Sequence, residues 1–372
     1  MLGLGGLMFN NVYKGRKVLI TGNTGFKGSW LSLWLLELGA DVYGYSLLPP
    51  TTPSLFEILE LRKRINYIEG DIRDFKKLEK SIREIKPEII FHLAAQPLVR
   101  DSYRHPRYTY EVNIMGTVNL FETIRQCDSV KVVINVTSDK CYQNNEWVYG
   151  YRENDPLGGD DPYSSSKGCS EIITNAYIKS FFNPERYKKE HNVILASVRA
   201  GNVIGGGDWA KDRLIPDSIR YISQNKEIII RNPDSIRPWQ YVLEPISGYL
   251  WLASLIYKKG KKYSGAWNFG PLDDKSLTVE EVVKMIIKLW RGRYIIKKED
   301  KLYESKQLRL DISKALYYLQ WRPVYKVEKA LSETINWYKN YYENNKNMYK
   351  FTLKTLSAYI NEALQKDIKW SH

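Results

Sequence analysis

The stretch VLITGNTGFKGSWL, residues 18 to 31, joins an apolar run to a helical pattern through three glycines. Gly22, Gly25 and Gly28 are spaced so that the chain can turn tightly, backbone amides can approach an anion, and the helix can pack close to the strand. A glycine triplet alone is weak evidence, but this one lies at the first strand-to-helix turn of an alternating pattern, which makes it strong. The stretch therefore predicts a site for the pyrophosphate of a dinucleotide.

Short β-rich runs alternate with helical patterns through the first two hundred residues, which is typical of a doubly wound parallel sheet. The predicted strands are 17–21, 41–46, 65–70, 88–94, 131–136 and 193–200, and the predicted helices are 26–38, 74–86, 108–126 and 163–182. We expect an α/β fold with a Rossmann-type dinucleotide domain over 15–200. A smaller α/β substrate-binding domain over 201–345, with helices at 244–257 and 278–290 and some segments returning to the sheet, and a helical tail over 346–372 complete the expected organisation.

The composition of the chain indicates which partners, metal sites and cellular compartment to expect. The 372 residues carry a formal charge of +14, but the densest basic run, KKGKK at 258 to 262, has no interleaved aromatic residues of the kind that stack on bases. Three cysteines and four histidines show no metal-ligand spacing. The opening MLGLGGLMFN has no cationic start and is too short for a signal segment. We expect a cytoplasmic protein in a reducing compartment, with no metal, no nucleic-acid partner and no membrane segment.

Tyr163 and Lys167 lie four residues apart at the start of a predicted helix, within DPYSSSKGCSE, and therefore on one face. A tyrosine is a poor base at its ordinary pKa, but an adjacent ammonium and a cationic nicotinamide both favour its phenolate. Such a tyrosine can take a hydroxyl proton while hydride leaves the same carbon. The motif is common on helices by itself, and it gains weight here from the glycine turn that precedes it.

Two further positions bear on the dinucleotide. An acid at the end of the second strand would bind the adenosine ribose of NAD and an arginine would suit NADP, but Ser46 stands there, followed by LLPP. This criterion leaves the choice between NAD and NADP open. Asp71 follows the third strand, where it either accepts a hydrogen bond from the adenine amino group or serves as a turn residue before a helix capped by Asp74.

The stretch VTSDKCY, residues 136 to 142, places Ser138, Asp139 and Lys140 at the exit of a buried strand. An elimination needs an acid for the leaving oxygen and a base for the carbon proton, and neighbouring residues at the carboxyl end of a strand can reach both. Asp139 fits the acid. Lys140 can be the base only in its neutral form, which burial and cationic neighbours favour; the alternative is that it pairs with a carboxylate in the cleft.

These motifs together resemble the extended short-chain dehydrogenase/reductases that act on nucleotide sugars. The matching segments are TGNTGFKG, HLAAQ (92–96), NIMGT (113–117), Ser138 and YSSSK (163–167). Longer segments resemble the 4,6-dehydratase members of that family, among them TGFKGSWLSLWL, PPTTPSLFE, TSDKCY, AGNVIGGGDWAKDRLIPD, IRPWQYVLEP and AWNFGP. The resemblance implies NAD as the cofactor, CDP-glucose as the small-molecule substrate and a homodimer or higher homo-oligomer formed through the helices near 108–126 and 163–182.

The resemblance also implies roles for individual residues. Ser138 and Tyr163 would bind the C4 oxygen, Tyr163 would be the base for oxidation, and Lys167 would bind the nicotinamide ribose. The implied cofactor-binding residues are Gly22, Asn23, Thr24, Gly25, Phe26, Gly28, Ser46, Asp71, Ile72, Leu93, Ala94, Ala95, Tyr163, Lys167 and Arg199. The implied substrate-binding residues are Gln96, Asn202, Arg213, Leu214, Arg231, Arg237 and Arg309, of which the arginines suit a diphosphate because their planar fork matches its oxygens.

One departure and two alternatives remain. Related dTDP-glucose dehydratases have Asp-Glu where this sequence has Asp139-Lys140. Another nucleotide-sugar 4,6-dehydratase or a 4-epimerase of the same family would share the fold, as would a non-catalytic NAD-binding or RNA-binding protein. The joint presence of Tyr163, Lys167 and Asp139 favours the dehydratase, because an epimerase has no use for an acid-base pair beside Ser138. Trp209 and Trp239 are either packing residues or contacts to the sugar or base.

Overall fold

A computed structural model gives the fold of residues 8–272, 277–297, 308–344 and 347–372. The first seven residues of the opening segment and the expected boundary at 345–346 lie outside this range. The strands are β1 (Lys17–Thr21), β2 (Asp41–Ser46), β3 (Asn66–Glu69), β4 (Ile89–His92), β5 (Val132–Val136), β6 (Ile194–Ala200), β7 (Val203–Ile204), β8 (Ile228–Ile230), β9 (Ile236–Arg237), β10 (Gln240–Tyr241), β11 (Gly265–Phe269), β12 (Leu277–Thr278) and β13 (Tyr294–Ile296). The α-helices are α1 (Phe26–Glu37), α2 (Leu55–Ile58), α3 (Phe75–Ile85), α4 (Val99–Arg104), α5 (Pro106–Tyr110), α6 (Gly116–Arg125), α7 (Pro162–Ser180), α8 (Leu214–Ser223), α9 (Leu243–Lys259), α10 (Val279–Trp290), α11 (Val327–Glu343) and α12 (Met348–Gln365).

Seven strands form one parallel sheet in the order β11-β6-β5-β4-β1-β2-β3. Every residue of β5 and β6 is buried, as expected of a parallel sheet whose two faces are covered. Side chains alternate between two apolar clusters, Val18 and Ile20 joining one and Leu19 the other. The predicted doubly wound Rossmann-type sheet is confirmed. The strand order reverses between β1 and β4, so the crevice for a ligand opens at the carboxyl ends of these strands.

The six predicted strands are all present; the prediction expected segments of the second half to return to the sheet but did not name the seventh strand. Strand β11 comes from the second half of the chain and pairs with β6, with Trp267 opposite Val198. Its five residues lie between Ser264 and Gly270 and show no polar–apolar alternation. Its pairing with β6 depends on contacts between segments far apart in the chain, which a local pattern does not record.

The predicted helix at 108–126 is present as α5 and α6 joined by a π-helical turn, Glu111–Met115. Asn113 lies in this turn, and its side chain donates hydrogen bonds to the Gln96 carbonyl (3.1 Å) and Ser166 Oγ (2.8 Å) and accepts one from the Gln96 amide (2.8 Å). Such turns are frequent at functional sites. Here the turn fastens the segment after β4 to α7, the helix that carries Tyr163.

The second half of the chain adds three two-stranded pairs, β7 with β10, β8 with β13, and β9 with β12. Helix α9 is buried over most of its length, and it packs against β5 and β6. Within the described ranges, no helix combines the length and the apolar character needed to cross a bilayer.

The segment after residue 346 packs into the body of the protein instead of extending from it. Trp370 stacks on Phe9 with ring centroids 5.3 Å apart. Tyr359, on α12, donates a 2.6 Å hydrogen bond to the buried carboxyl of Glu244, which also accepts from the backbone amides of Val324 and Tyr325. Burial raises the pKa of Glu244 to about 7 although these hydrogen bonds oppose the shift. The carboxyl thus ties α12 and the loop before α11 to α9.

We expect Tyr359→Phe to lower the free energy of unfolding by roughly 1–3 kcal/mol, because a buried carboxyl loses one of its three donors. Urea denaturation measures the change. Tyr241→Phe is the matched control, since within the described part of the chain the Tyr241 hydroxyl is buried without a hydrogen-bond partner, and its ring contacts Tyr359. Equal losses in the two variants would contradict a role for the hydrogen bond to Glu244.

Candidate active site

The turn between β1 and α1 is shaped by its glycines. Gly22 has φ +74°, and a Cβ at this position would lie 2.7 Å from the Ala94 amide nitrogen. A Cβ at Gly28 would lie 2.3 Å from the Gly22 carbonyl oxygen. Helix α1 can therefore start close against β1 and the exit of β4. Its N-cap is Gly25, which has no side chain to occupy the backbone amides of the first turn, so these amides remain available to an anion.

A cavity of about 1080 Å³ opens at the carboxyl ends of the sheet strands. Its lining includes all five predicted catalytic residues, Ser138, Asp139, Lys140, Tyr163 and Lys167. It also includes the predicted cofactor residues Gly22, Thr24, Gly25, Phe26, Gly28, Ser46, Asp71, Ile72, Leu93, Ala94 and Ala95, and the predicted substrate residues Gln96, Asn202, Arg213, Leu214, Arg231 and Arg237. The structure therefore brings most of the predicted site residues together in one place.

Three predicted site residues lie outside this lining, namely Asn23, Arg199 and Arg309. Asn23 is fully buried, and its Oδ1 accepts a hydrogen bond from Ser46 Oγ at 2.8 Å. Arg199 is buried in an ion pair with Glu171. The carbonyl of Arg309 accepts from the Tyr151 amide. Asn23 and Arg199 thus support the residues around the cavity without facing it.

The adenine side of the predicted dinucleotide site is marked by Asp71. The Arg73 guanidinium contacts both carboxyl oxygens of Asp71, the shortest distance being 2.7 Å, and it also pairs with Glu111 at 3.1 Å. Burial opposes ionisation, but these hydrogen bonds from Arg73 hold the pKa of Asp71 below its ordinary value. Asp71 is therefore an ionised acceptor at the edge of the cavity.

The exit of β5 forms a short helical turn, Asp139–Cys141, capped by Ser138. Ser138 Oγ accepts from the Lys140 amide at 3.3 Å and donates to Asp139 Oδ1 at 2.9 Å. The side chain of Asp139 is buried, and a Cβ at Gly201 would lie 2.7 Å from its Oδ2. Burial raises the pKa of Asp139, although the neighbouring Lys140 ammonium opposes the shift. A carboxyl with a raised pKa beside a hydroxyl suits a general acid.

Tyr163 and Lys167 lie in the first two turns of α7, whose N-cap Asp161 accepts from the Ser164 amide. Both side chains are buried. Burial raises the pKa of Tyr163 to about 12, a shift that its hydrogen bond with Ser138 opposes. Burial lowers the pKa of Lys167 to about 8. Burial is therefore the largest influence on the pKa of Tyr163, and the positive charge of an oxidised nicotinamide is the further influence that would favour its phenolate.

The sequence interpretation missed Lys27, which lines the same cavity in the first turn of α1. Burial and the positive charges of Lys167 and Arg213 lower the pKa of Lys27 to about 8, while Asp139 opposes that shift. A lysine directly before Gly28, at the helix N-terminus that faces an anion, was the available signal. Lys27 therefore lines the cavity together with Lys140, Lys167 and the buried carboxyl of Asp139.

The second half of the chain contributes arginines to the cavity. Arg213 pairs with Asp208 at 2.8 Å, and this pairing raises the pKa of Arg213 further. Arg231 lies 3.3 Å from Asp212. These guanidinium groups are held by partners in orientations that leave them on the cavity wall, as diphosphate recognition requires.

The two tryptophans differ. Trp209 is buried and makes edge contacts with Trp337 and Tyr338, at ring centroid distances of 5.8 and 5.7 Å, so packing explains most of its surface. Both tryptophans line the cavity, but Trp209 donates its indole N–H to the Tyr342 hydroxyl, whereas within the described chain the buried indole nitrogen of Trp239 has no hydrogen-bond partner. Trp239 is therefore the better candidate for a ligand contact.

Comparisons with known proteins identify the family of this chain. Residues 19–334 match the family model described as GDP-mannose 4,6 dehydratase. A CDP-glucose 4,6-dehydratase from Salmonella typhimurium is 56% identical over 331 residues, which cover 88% of this chain and 92% of that protein.

Solved structures share the fold. UDP-glucose 4-epimerase from Thermotoga maritima, solved with UDP-glucose, has a TM-score of 0.76 at 23% identity, covering 88% of this chain and 100% of that one. The dTDP-glucose 4,6-dehydratase from Bacillus anthracis, solved in complex with NAD, has a TM-score of 0.72 at 23% identity, covering 90% and 99%. At this level of identity the likeness establishes the common architecture.

Proposed function

This chain belongs to the family of GDP-mannose 4,6-dehydratase, and from that premise we propose that it removes water from CDP-glucose to give CDP-4-keto-6-deoxyglucose. The protein is accordingly a hydro-lyase. The observation that carries the proposal is the meeting of Tyr163 and Lys167 with Asp139 and Lys140 in one cavity. The first pair suits oxidation at C4, and the second supplies the acid and base that an elimination across C5 and C6 requires. The substrate is that of the relative at 56% identity.

The residues around the first turn of α1 fit NAD. Gly22 and Gly28 allow close approach of the backbone, the amides of the helix N-terminus suit a pyrophosphate, and Ala94 and Ala95 leave room beside it. Strand β2 ends at Ser46 without an acidic residue, and the apolar Leu47 and Leu48 follow. The carboxylate that usually binds the adenosine ribose is therefore not found at this position. The nicotinamide ring would supply the hydride acceptor for C4 and the hydride donor for C6.

The chain's own residues would handle the protons. The phenolate of Tyr163 would take the proton of the C4 hydroxyl, and Ser138, which lowers the pKa of Tyr163, would hold the same oxygen. The guanidinium of Arg213 and the Ser138 hydroxyl both favour the phenolate and so oppose the effect of burial. Lys167 binds the ribose next to the nicotinamide from the same helical face.

The Asp139–Lys140 pair would perform the elimination. The raised pKa of Asp139 favours its protonated form, which is the form that can give a proton to the C6 oxygen as it leaves. Lys140 is half-buried on the same turn, and its neutral amine would take the proton from C5 once the neighbouring C4 carbonyl has acidified it. Two neighbouring residues thus act on two neighbouring carbons.

Residues 201–345 would bind the nucleotide part of the sugar substrate, whereas residues 15–200 would bind the dinucleotide NAD. Arg213, Arg231 and Arg237 would bind the diphosphate, with Asn202 beside them, because planar guanidinium groups match phosphate oxygens. Trp239 offers a flat apolar face on the cavity wall for the base or the sugar.

We also propose a cytoplasmic homodimer that serves deoxysugar biosynthesis. Exposed apolar side chains support the dimer: Tyr110 and Met115 on the α5–α6 segment, Ile172 on α7, and Phe181 directly after α7. A two-fold axis would bury these patches against their own copies. Sedimentation velocity of the purified protein, which we expect to give the mass of two chains, measures this directly.

The decisive experiment for function is incubation of the protein with NAD and CDP-glucose, dTDP-glucose or UDP-glucose in parallel. We expect a 4-keto-6-deoxy product from CDP-glucose at a higher kcat/KM than from the other two sugars. A C4 epimer without loss of water would establish the 4-epimerase instead. Equal kcat/KM values for the three nucleotides would overturn the cytidine assignment alone.

A further inference from the structure

Glu171 is a buried carboxylate that joins three elements beneath the cavity. It lies on α7, one helical turn after Lys167. Its Oε1 accepts from the Thr137 hydroxyl at the exit of β5, and its Oε2 accepts from Ser197 Oγ and from the Arg199 guanidinium on β6, both at 2.7 Å. Burial opposes its ionisation, but Arg199 and these hydrogen bonds hold the pKa of Glu171 below its ordinary value. Glu171 is therefore an ionised group inside the protein.

Arg199 extends this network away from α7. Its guanidinium also donates to the Tyr142 hydroxyl at 2.6 Å and to the Glu153 carbonyl at 3.1 Å. Tyr142 in turn donates to Asn268 Oδ1 on β11 at 2.8 Å. The network therefore begins on α7 and reaches across β5 and β6 to the edge strand of the sheet.

The contact between α7 and the Asp139–Cys141 turn is close. A Cβ at Gly168 would lie 3.3 Å from the Cys141 carbonyl oxygen and 2.9 Å from the Gly158 carbonyl oxygen. Helix α7 carries Tyr163 and Lys167, whereas the turn carries Asp139 and Lys140. The hydrogen bond from Thr137 to Glu171 crosses this same contact, directly beside Ser138.

We propose that Glu171 is a positioning residue, which sets the distance between the oxidation pair on α7 and the elimination pair after β5 through its hydrogen bond with Thr137. The inference rests on the proposed dehydration and adds to it a residue that touches neither substrate nor cofactor. The two pairs must act in turn on neighbouring carbons of one sugar. A change of about 1 Å in the distance between the pairs is therefore expected to lower the rate by up to ~10²-fold.

Glu171 also acts on Lys167 through charge. Lys167 is surrounded by Lys27 on α1, His92 on β4, Cys141 on the turn and Glu171 on its own helix. Burial lowers the pKa of Lys167, and the negative charge of Glu171 is the largest influence that opposes this shift. Removal of the negative charge at Glu171 therefore lowers the pKa of Lys167, so that the ammonium is lost at a lower pH.

The first test compares two hydroxyls that donate to the same carboxylate. Thr137→Val removes the link between Glu171 and the catalytic turn, and Ser197→Ala removes the link between Glu171 and β6, which carries no proposed catalytic residue. We expect Thr137→Val to lower kcat by about 10-fold with little change in KM, and Ser197→Ala to change it by less than about 2-fold. Without any ligand, amide hydrogen exchange of residues 138–141 should rise in Thr137→Val alone.

The second test replaces the charge. Glu171→Gln should move the alkaline limb of the kcat profile to lower pH by roughly one unit, and Glu171→Asp should restore much of the original profile. Equal kcat losses and equal hydrogen exchange in Thr137→Val and Ser197→Ala, or a loss in Glu171→Gln that is uniform across pH, would overturn the proposal. If the parent protein does not dehydrate CDP-glucose, the proposed function itself fails, whereas the hydrogen-exchange comparison still tests the link to the turn.

Discussion

Tyr163→Phe is expected to lower kcat by roughly 10² to 10⁴-fold, the contribution of a positioned proton acceptor, while the affinity for NAD stays nearly unchanged. The phenol acts on the C4 hydroxyl, and its ring, which the variant keeps, supplies the packing. Burial raises the pKa of Tyr163 to about 12, so the phenolate at this position depends on neighbouring positive charge, which bulk water does not supply in a buried site. The absorbance of reduced nicotinamide after mixing enzyme, NAD and CDP-glucose in a single turnover measures the oxidation step.

Tyr103→Phe provides the matched control for this variant. Tyr103 lines the same cavity from α4 but is more exposed, and loss of its hydroxyl is expected to change kcat by about 2-fold or less. Unchanged turnover in Tyr163→Phe would remove Tyr163 from the mechanism. A large loss of NAD affinity in Tyr163→Phe would assign the hydroxyl to cofactor binding instead.

Lys140→Met is expected to stop the reaction after oxidation at C4, because Tyr163, Lys167 and Ser138 remain in place while the base for C5 is gone. The absorbance of reduced nicotinamide should therefore rise in a single turnover and persist. In deuterated water the sugar should acquire no label at C5. Lys27→Met is the matched control, since it removes another lysine of the same cavity and should leave C5 exchange in place. Exchange at the parent rate in Lys140→Met would show that Lys140 is only a neighbouring charge.

Asp139→Asn separates the acid from the base. The amide cannot protonate the C6 oxygen, so the loss of water should slow by roughly 10² to 10⁴-fold, whereas exchange at C5 should continue through the 4-keto sugar. The same variant removes the carboxylate that favours the charged form of Lys27, so its pH profile belongs in the measurement. Loss of C5 exchange in Asp139→Asn would make Asp139 the base.

Local patterns in the sequence were enough to predict the sheet and the main motifs. The glycine turn at Gly22, Gly25 and Gly28, the six alternating strands, and the pairing of Tyr163 with Lys167 on one helical face all depend on residues close together in the chain. Backbone geometry translates such spacings directly into turns, strands and helix faces. The resemblance of longer segments to a known family then pointed to the chemistry, and the match over residues 19–334 confirmed the family.

Tertiary structure decided which of these residues face the cavity and how their protons are held. In the folded protein, Lys27 lies near Asp139 and Arg199 forms an ion pair with Glu171. Strand β11 joins the sheet from the far half of the chain. Burial is the largest influence on the pKa of Tyr163 in the folded protein, whereas the sequence pattern indicated only the charges that favour its phenolate. The physical reason is that desolvation and charge pairing depend on every group within a few ångströms, and those groups come from segments far apart in the sequence. Local spacing determines the elements, whereas the environment of each side chain exists only once the elements have packed.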